Sequence, residues 1–374
     1  MINAGFENVR HYQTDTVTYI FVDGSSFRSR LTNLEKISSS IGELSDIIGN
    51  NKVSVIFNYD REQQLTLTTT KNPMGYFSGN INSWGISYKT KEAAGIINEL
   101  TAVGKFNGKF YNSSLGKIDF IIYPEFRFRN IWLDIMYQTQ LNISPAVEIN
   151  LWRGSKFTGQ VVFPIINEYE REYDQVRPGF INLSQDFKIK GNIFARATIG
   201  SFSAERLGVD LKLYRPFGQR WGLYAEGGLT GRILYYYSGW KHTPIKRFTW
   251  AVGGNYFVDY FDLMFDVRAA RFIGKDIGVE GKLTRYFKKA VIGFYLQKTQ
   301  AVDYNGGFYF SISIPPYNQK RKKFIRISPT PYYELVYNAQ ARQQEGRYYL
   351  TSPNETNAEI FFDILRFGQI IRNY

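Results

Sequence analysis

Residues 207–229 read LGVDLKLYRPFGQRWGLYAEGGL. Leu207, Val209, Leu211 and Leu213 alternate with Gly208, Asp210, Lys212 and Tyr214. After the turn at Pro216, Phe217 and Gly218, the alternation resumes with Leu223 and Ala225 against Tyr224 and Glu226. A period of two is the pattern of a two-faced strand, and two such runs around a tight turn predict a hairpin. One face is apolar and the other carries Asp, Lys and Glu.

The same texture recurs from about residue 117 onward. Ile193, Ala195, Ala197 and Ile199 oppose Phe194, Arg196 and Thr198. Leu263, Phe265, Val267 and Ala269 oppose Met264, Asp266 and Arg268, and Ile277, Val279 and Leu283 oppose Glu280, Lys282 and Thr284. Segments near 117–126, 130–140, 144–153, 156–165 and onward to 323–337 predict about fourteen strands by the same period-two criterion. The stretch 358–374 reads as a further strand or a docked helix. A soluble sandwich would also alternate. Two features favour lipid outside and water inside. Aromatics crowd the strand ends (Trp132, Trp152, Trp221, Tyr235, Tyr236, Tyr237, Trp240, Trp250, Tyr256 and Tyr286), as an interfacial girdle would. Links also alternate between tight turns, RPFGQR and RFIGKD, and longer segments, 166–177 and 236–245.

Bulk properties agree with that class. The 374 residues are 44% hydrophobic and 17% aromatic, with 28 Tyr and 30 Phe. Mean hydropathy is −0.31, and no apolar run approaches the roughly 18 residues of a membrane-crossing helix. A helical membrane protein is therefore excluded, while a β-barrel hides its apolar residues by alternation. The net charge of +13 suits an anionic partner, whether membrane surface or polymer. Nucleic acid is not expected as a partner, because the basic residues are scattered rather than gathered on one stripe, apart from KRKK at Lys320 to Lys323.

The N-terminal part differs. ENVRHY, TVTYIFVD, KVSVIFNY and QLTLTTT read as strands, and Leu31, Leu34, Ile37, Ile41, Leu44 and Ile48 recur at helical spacing. Residues 1–72 are thus expected to form a small ββαββ domain. Residues 73–116 would be a linker with an outlying strand and a short helix at TKEAAGIINELTAVGK, and residues 117–374 an antiparallel transmembrane β-barrel. The start MINAGFENVR has neither a basic n-region nor an apolar h-region. A chain bound for the outer membrane needs such a leader, so the expectation is a mature or trimmed sequence, or the back half of something larger.

Chemistry is sparse. There is no Cys and there are only two His, His11 and His242, so no thiolate or His cluster for a metal is available. Gly-Lys is never followed by Ser or Thr, which removes a P-loop. No cofactor and no metal are expected. Asp210, Glu226, Asp266 and Glu280 could in principle act as a glycosidase pair. The neighbouring Arg196, Lys212, Arg268 and Lys282 instead suggest an ion-paired inner wall, since unpaired buried charge is costly. These eight residues are the candidates for lining a lumen. The chain is accordingly expected not to be an enzyme.

Three stretches carry a resemblance. NAGFENVRHYQTDTVTYIFVD, followed by Asp23-Gly24-Ser25-Ser26-Phe27-Arg28, resembles the small inter-barrel domain of the YjbH/GfcD-type outer-membrane proteins of exopolysaccharide and capsule secretion. Gly200, Glu205, Gly208 and Leu213-Tyr214-Arg215-Pro216 are similar to a hairpin of that family's second barrel half, with Asp210 and Lys212 where Glu is usual. FYLQKTQAVDYNGGFYFSISIPP resembles its late hairpin. The resemblance implies a Gram-negative outer-membrane location with the N-terminal domain periplasmic. It also implies a polar lumen that assists polysaccharide export. Implied partners are outer-membrane lipid and lipopolysaccharide, an anionic polysaccharide, periplasmic export proteins, and a separate N-terminal barrel half that would seal two open edges. A general porin or secretion-system accessory barrel is the alternative, and a lumenal hydrolase the third reading.

Overall fold

A computed structural model describes residues 1–23, 30–59, 62–79, 83–87, 110–129, 137–218, 220–287, 289–301, 303–314, 321–339 and 348–357. The expected helix at 90–105, the segment 358–374, Trp132, Lys320 and the stretch from Gly24 to Arg28 lie outside the described residues.

The first five strands are β1 (Glu7–Gln13), β2 (Val17–Asp23), β3 (Lys52–Tyr59), β4 (Glu62–Thr70) and β5 (Gly85–Ser87), with helix α1 (Arg30–Glu43) between β2 and β3. They form one sheet in sequence order. β2 and β3 run parallel, which requires a crossover, and α1 supplies it. The three- and four-residue spacing of Leu34, Ile37 and Ile41 puts all three on one helix face, fully buried against Val22, Val53, Val55 and Leu67. Phe77 and Trp84, from the stretch read as linker, are buried in the same core.

The remaining strands are β6 (Ile118–Arg129), β7 (Gln138–Ile149), β8 (Ser155–Asn167), β9 (Arg177–Ile189), β10 (Ile193–Phe202), β11 (Arg206–Phe217), β12 (Trp221–Tyr236), β13 (Gly239–His242), β14 (Arg247–Val258), β15 (Leu263–Arg271), β16 (Ile277–Tyr286), β17 (Ala290–Thr299), β18 (Asn305–Ser313), β19 (Ile325–Pro329) and β20 (Tyr332–Asn338). They make a single fifteen-stranded sheet in which β13 hangs from β12. From β6 to β18 every neighbouring pair is antiparallel. Two expected segments, 130–140 and 144–153, are corrected here: β7 spans Gln138–Ile149 as one strand.

The burial of this sheet is inverted relative to a soluble protein. Leu211, Val267 and Val279 are 46%, 57% and 52% exposed, whereas Asp210, Asp266 and Glu280 are 3%, 5% and 1% exposed. The apolar face therefore looks outward and the charged face inward. Large aromatics stand exposed at both rims. Trp152, Phe217, Trp221 and Tyr260 lie at the rim where β6 begins, and Tyr237 and Trp240 at the opposite one. Tyr286, expected in the girdle, is instead buried beside Phe257 and Met264. The turn RFIGKD lies at the opposite rim from RPFGQR, because β15 and β11 run in opposite directions. Tight turns thus occur at both rims, while the longer links 168–176 and 237–246 share one.

The expected barrel of about fourteen antiparallel strands needs correction at its seam. The sheet does not form a hydrogen-bonded ring, since its two end strands, β19 and β20, are not paired with each other. They are successive pieces of one chain stretch interrupted at Thr330 and Pro331. β19 pairs with β6 in parallel over Ile118–Ile122, and β20 pairs with β18 antiparallel. The Thr330 N–H donates to the Ile122 carbonyl at 2.9 Å. Beyond that bond the ladder between β6 and the 325–338 stretch stops among the described residues. Ile118 N–H and Ile122 C=O both point toward this stretch, so the next seam-facing residue of β6 is Pro124, which has no N–H to offer. The far half of the seam is held by side chains, with the Phe128 and Tyr337 rings 5.8 Å apart. The Thr330 hydroxyl meets the Tyr332 carbonyl at 3.0 Å.

Both parts of the chain meet at the rim where β6 begins. Phe194 of β10 and Tyr214 of β11 belong to the core built on α1, and Tyr224 packs against it. Arg321 grips Glu7 of β1 at 2.6 Å and Asp119 of β6 at 2.7 Å.

Candidate functional site

The inward face owes its chemistry to register. Antiparallel pairing sets Arg196 opposite Asp186, Lys212 opposite Glu226, Asp266 opposite Lys282 and Arg268 opposite Glu280. Opposite charges directly across a ladder attract. Arg196 makes a two-pronged contact with Asp186 at 2.6 and 2.8 Å, the strongest geometry for such a pair. Arg268 lies 3.0 Å and Lys282 3.5 Å from the same Glu280 oxygen. Lys212 reaches Glu226 at 3.7 Å. Asp266 accepts from the Tyr224 hydroxyl at 2.9 Å. The eight candidate residues therefore all lie on one inward face and most are held in pairs.

Residues 348–357 were missed by the sequence reading. They form an irregular segment that crosses this interior and binds the wall on many sides. The Tyr349 hydroxyl donates to Asp210 at 2.8 Å and its ring stacks on Phe202 at 5.4 Å. The Tyr348 hydroxyl contacts Glu280, and its ring lies 4.4 Å from the Arg268 guanidinium. Glu355 takes Lys212 at 2.7 Å, a closer partner than Glu226. Asn354 donates to Glu148 at 2.6 Å and accepts from Tyr123 at 2.8 Å. Asn357 donates to Glu334 and accepts from Lys282 at 3.1 Å. Wall strands from β6 round to β20 thus share one internal segment, so the sheet curls about it. Residues 348–357 therefore occupy part of the interior, a matter that the sequence left open. The only local cue was composition: YYLTSPNETN is rich in hydrogen-bonding side chains and lacks any period.

A cavity of about 360 Å³ remains between this segment and β11 to β16. Lys212, Glu226, Asp266, Arg268, Lys282 and Tyr348 are among its lining. Among the described residues, Asp210 Oδ1, Asp266 Oδ2 and Arg268 Nε are buried without a hydrogen-bond partner. Such atoms normally find one. The two histidines sit apart from all of this: His11 stacks on Tyr111 at 5.5 Å, and His242 on Trp240 at 5.5 Å at the far rim. Among the described residues no group of three or more His, Asp or Glu is arranged for a metal ion.

No protein family profile and no curated protein matches the chain. Solved structures do. A loop L8 deletion mutant of OmpT, an outer membrane protein of Vibrio cholerae, is 12% identical over 60% of this chain and 94% of its own, with a TM-score of 0.30. In-vitro folded OmpT from the same organism is 10% identical over 55% of this chain and 85% of its own, with a TM-score of 0.28. Its trimer form is 9% identical over 63% of this chain and 94% of its own, with a TM-score of 0.29. One expectation is corrected at this point. The chain was expected not to be an enzyme, and that exclusion is withdrawn, because the ion pairs on which it rested leave carboxylate oxygens of Asp210 and Asp266 without partners. The likeness is too distant to transfer an activity.

Proposed function

We propose that the chain is an outer-membrane β-barrel protein that assists export of an exopolysaccharide or capsular polysaccharide, with its N-terminal sheet domain on the periplasmic side. The observation that carries this reading is the inverted sheet, apolar outward and charged inward. Such a sheet is stable where hydrocarbon, rather than water, meets its outer face. The aromatics at both rims fit the two interfaces. The inward ladder of Arg, Lys, Asp and Glu offers hydroxyl- and carboxylate-rich polymers the hydrogen bonds that they need. The net charge of +13 favours an acidic polymer and the phosphates of lipopolysaccharide. The sheet domain at the rim where β6 begins would meet periplasmic export proteins. A separate N-terminal barrel half would join the wall at this seam, where the ladder stops beyond Ile122 of β6. A constantly open porin suits the chain less well, because residues 348–357 cross the interior.

The test is removal of the gene from its host, with cell fractionation of the tagged protein alongside. The reading expects the protein in the outer-membrane fraction, less polymer at the cell surface, and polymer retained in the periplasm. Unchanged surface polymer would overturn the export reading, and a soluble protein would overturn the location.

A further inference from the structure

We propose that the inward groups now held by residues 348–357 are the binding track of an acidic saccharide chain, and that this segment is a strap seated on the track in the saccharide's place. The inference rests on the export reading above and assigns its site and its control.

The first argument is chemical. The strap reaches the wall through two phenols, a carboxylate and two side-chain amides, those of Tyr348, Tyr349, Glu355, Asn354 and Asn357. An acidic glycan presents the same kinds of group: hydroxyls, carboxylates and, on amino sugars, amides. A wall that satisfies the one set can satisfy the other. When the strap leaves, Asp210 and Glu148 lose donors and Lys212 keeps only the longer contact to Glu226. Buried charged groups do not stay without partners. Water or a ligand must take the strap's place.

The second argument is energetic. A strand in the wall exchanges a full backbone ladder on leaving, but the strap has none. Among the described residues one bond joins its main chain to that of the wall, from Ser203 N–H to the Leu350 carbonyl at 3.1 Å, while Leu350 N–H, the Thr351 carbonyl and Asn357 N–H meet side chains of the wall. The rest is carried mainly by side chains, and hydrogen bonds exchanged for equivalent ones contribute little net free energy. Releasing the segment also returns conformational entropy. The strap is therefore tied to the wall without the ladder that holds each wall strand.

The third argument is space. The 360 Å³ cavity beside the strap lies within the range of small-molecule sites, roughly 300–1,000 Å³. Asp266 lines it with one carboxylate oxygen that has no partner among the described residues, although the residue is 95% buried, being 5% exposed. Arg268 lines it too, with Nε likewise without a partner. Asp266 and Arg268 stand two residues apart on the same face of β15, an acceptor and a donor that one saccharide chain can meet.

The test uses the full chain reconstituted in planar lipid bilayers, with oligogalacturonate as the acidic probe and dextran oligomers of similar size as the neutral one. Two variants unseat the strap by different routes. The first is Tyr349→Ala combined with Glu355→Ala. The second is Gly228→Val, because even a Cβ at Gly228 would overlap the Tyr349 hydroxyl. In a third, Ser203→Cys with Leu350→Cys pins the strap where it sits, in a chain with no other cysteine. We expect a several-fold rise in conductance for the unseated variants and a silent pinned protein that conducts more after reduction. Oligogalacturonate should then block the unseated pores at lower concentration than dextran oligomers. Unchanged conductance in the folded unseated variants, or conduction by the pinned protein equal before and after reduction, would overturn the strap. A rise in conductance without a block by oligogalacturonate would overturn the saccharide track. Block in the bilayer together with normal polymer export in the deletion strain would leave this inference standing and defeat the export reading alone.

Discussion

Asp119 and Arg326 face each other across the parallel pairing of β6 and β19, their charged atoms 2.8 and 2.6 Å apart at two points. Arg321 holds the same carboxylate at 2.7 Å. A parallel seam in an otherwise antiparallel wall is thus pinned by charge at the rim where the N-terminal sheet also attaches. Asp119→Ala would leave two guanidinium groups, each on a 6% exposed side chain, without their common partner. Removing one member of a buried ion pair costs about 3–5 kcal/mol. We expect a loss of that order in denaturant unfolding, and a loss below 1 kcal/mol would mean that the seam is held mainly elsewhere.

The register of the seam gives a second outcome. Phe120 pairs with Ile327, so Phe120→Cys with Ile327→Cys should cross-link efficiently in the isolated chain. Asp119 with Tyr333 should not, because Tyr333 pairs with Ile312 on the other side of β20. Reversed efficiencies, read as a mobility shift under oxidising conditions, would show that the 325–338 stretch is placed wrongly.

Arginine on the outward face provides a third. Val267→Arg or Val279→Arg should cost about 2–4 kcal/mol near the bilayer midplane, measured by unfolding from lipid vesicles. In a water-soluble protein the same half-exposed positions would tolerate Arg with little change. Arg in place of Asp210 would not be the mild control that an open lumen suggests, since Asp210 lies under Tyr349.

A fourth prediction concerns the small domain. Ile37 is fully buried in the core shared by α1 and its sheet, and Ile→Ala at such a site costs about 2–5 kcal/mol. Ile37→Ala should make the N-terminal sheet sensitive to protease while the strands from β6 onward stay protected. Simultaneous loss of both would show that the two parts unfold as one.

The last prediction is a pH dependence outside the spanning strands. The Thr139 hydroxyl and N–H, at 2.6 and 2.7 Å, hold the Glu168 carboxyl below its usual range. A depressed carboxyl stabilises above its unfolded pKa, and that contribution disappears as the pH falls through the folded value. Protection of the Thr139 amide, corrected for intrinsic exchange, should therefore fall on acidification. Glu168→Gln should remove the pH dependence.

Much of the wall was legible in the sequence because its signal is local. Alternation at Val209–Asp210–Leu211–Lys212 fixes which residues share a face, and antiparallel hairpins with short turns then place Lys212 opposite Glu226. The helix face of Leu34, Ile37 and Ile41 was legible for the same reason. The strap was not, because its partners lie far away in sequence: Tyr349 finds Asp210 139 residues upstream and Asn354 finds Tyr123 231 upstream. No period within YYLTSPNETN encodes those meetings. The seam left a trace that went unread. Pro329 and Pro331 interrupt the 323–337 alternation, and proline inside a strand marks an edge or a break.

The parallel seam dictates the order of events during folding. With β13 set aside, twelve strands carry the chain from one rim back to the same rim, and the 325–338 stretch then takes it across to the other. Residues 348–357 lie in the interior, and the groups that receive them come from β6 through β20. The receptor for this segment does not exist until the two ends of the sheet have been brought together. Docking of Tyr349 on Asp210 is consequently a late event, and its rate reports when the wall has finished curling. A fluorescent quencher at Tyr349 read against a probe near Asp210 would clock the completion of assembly.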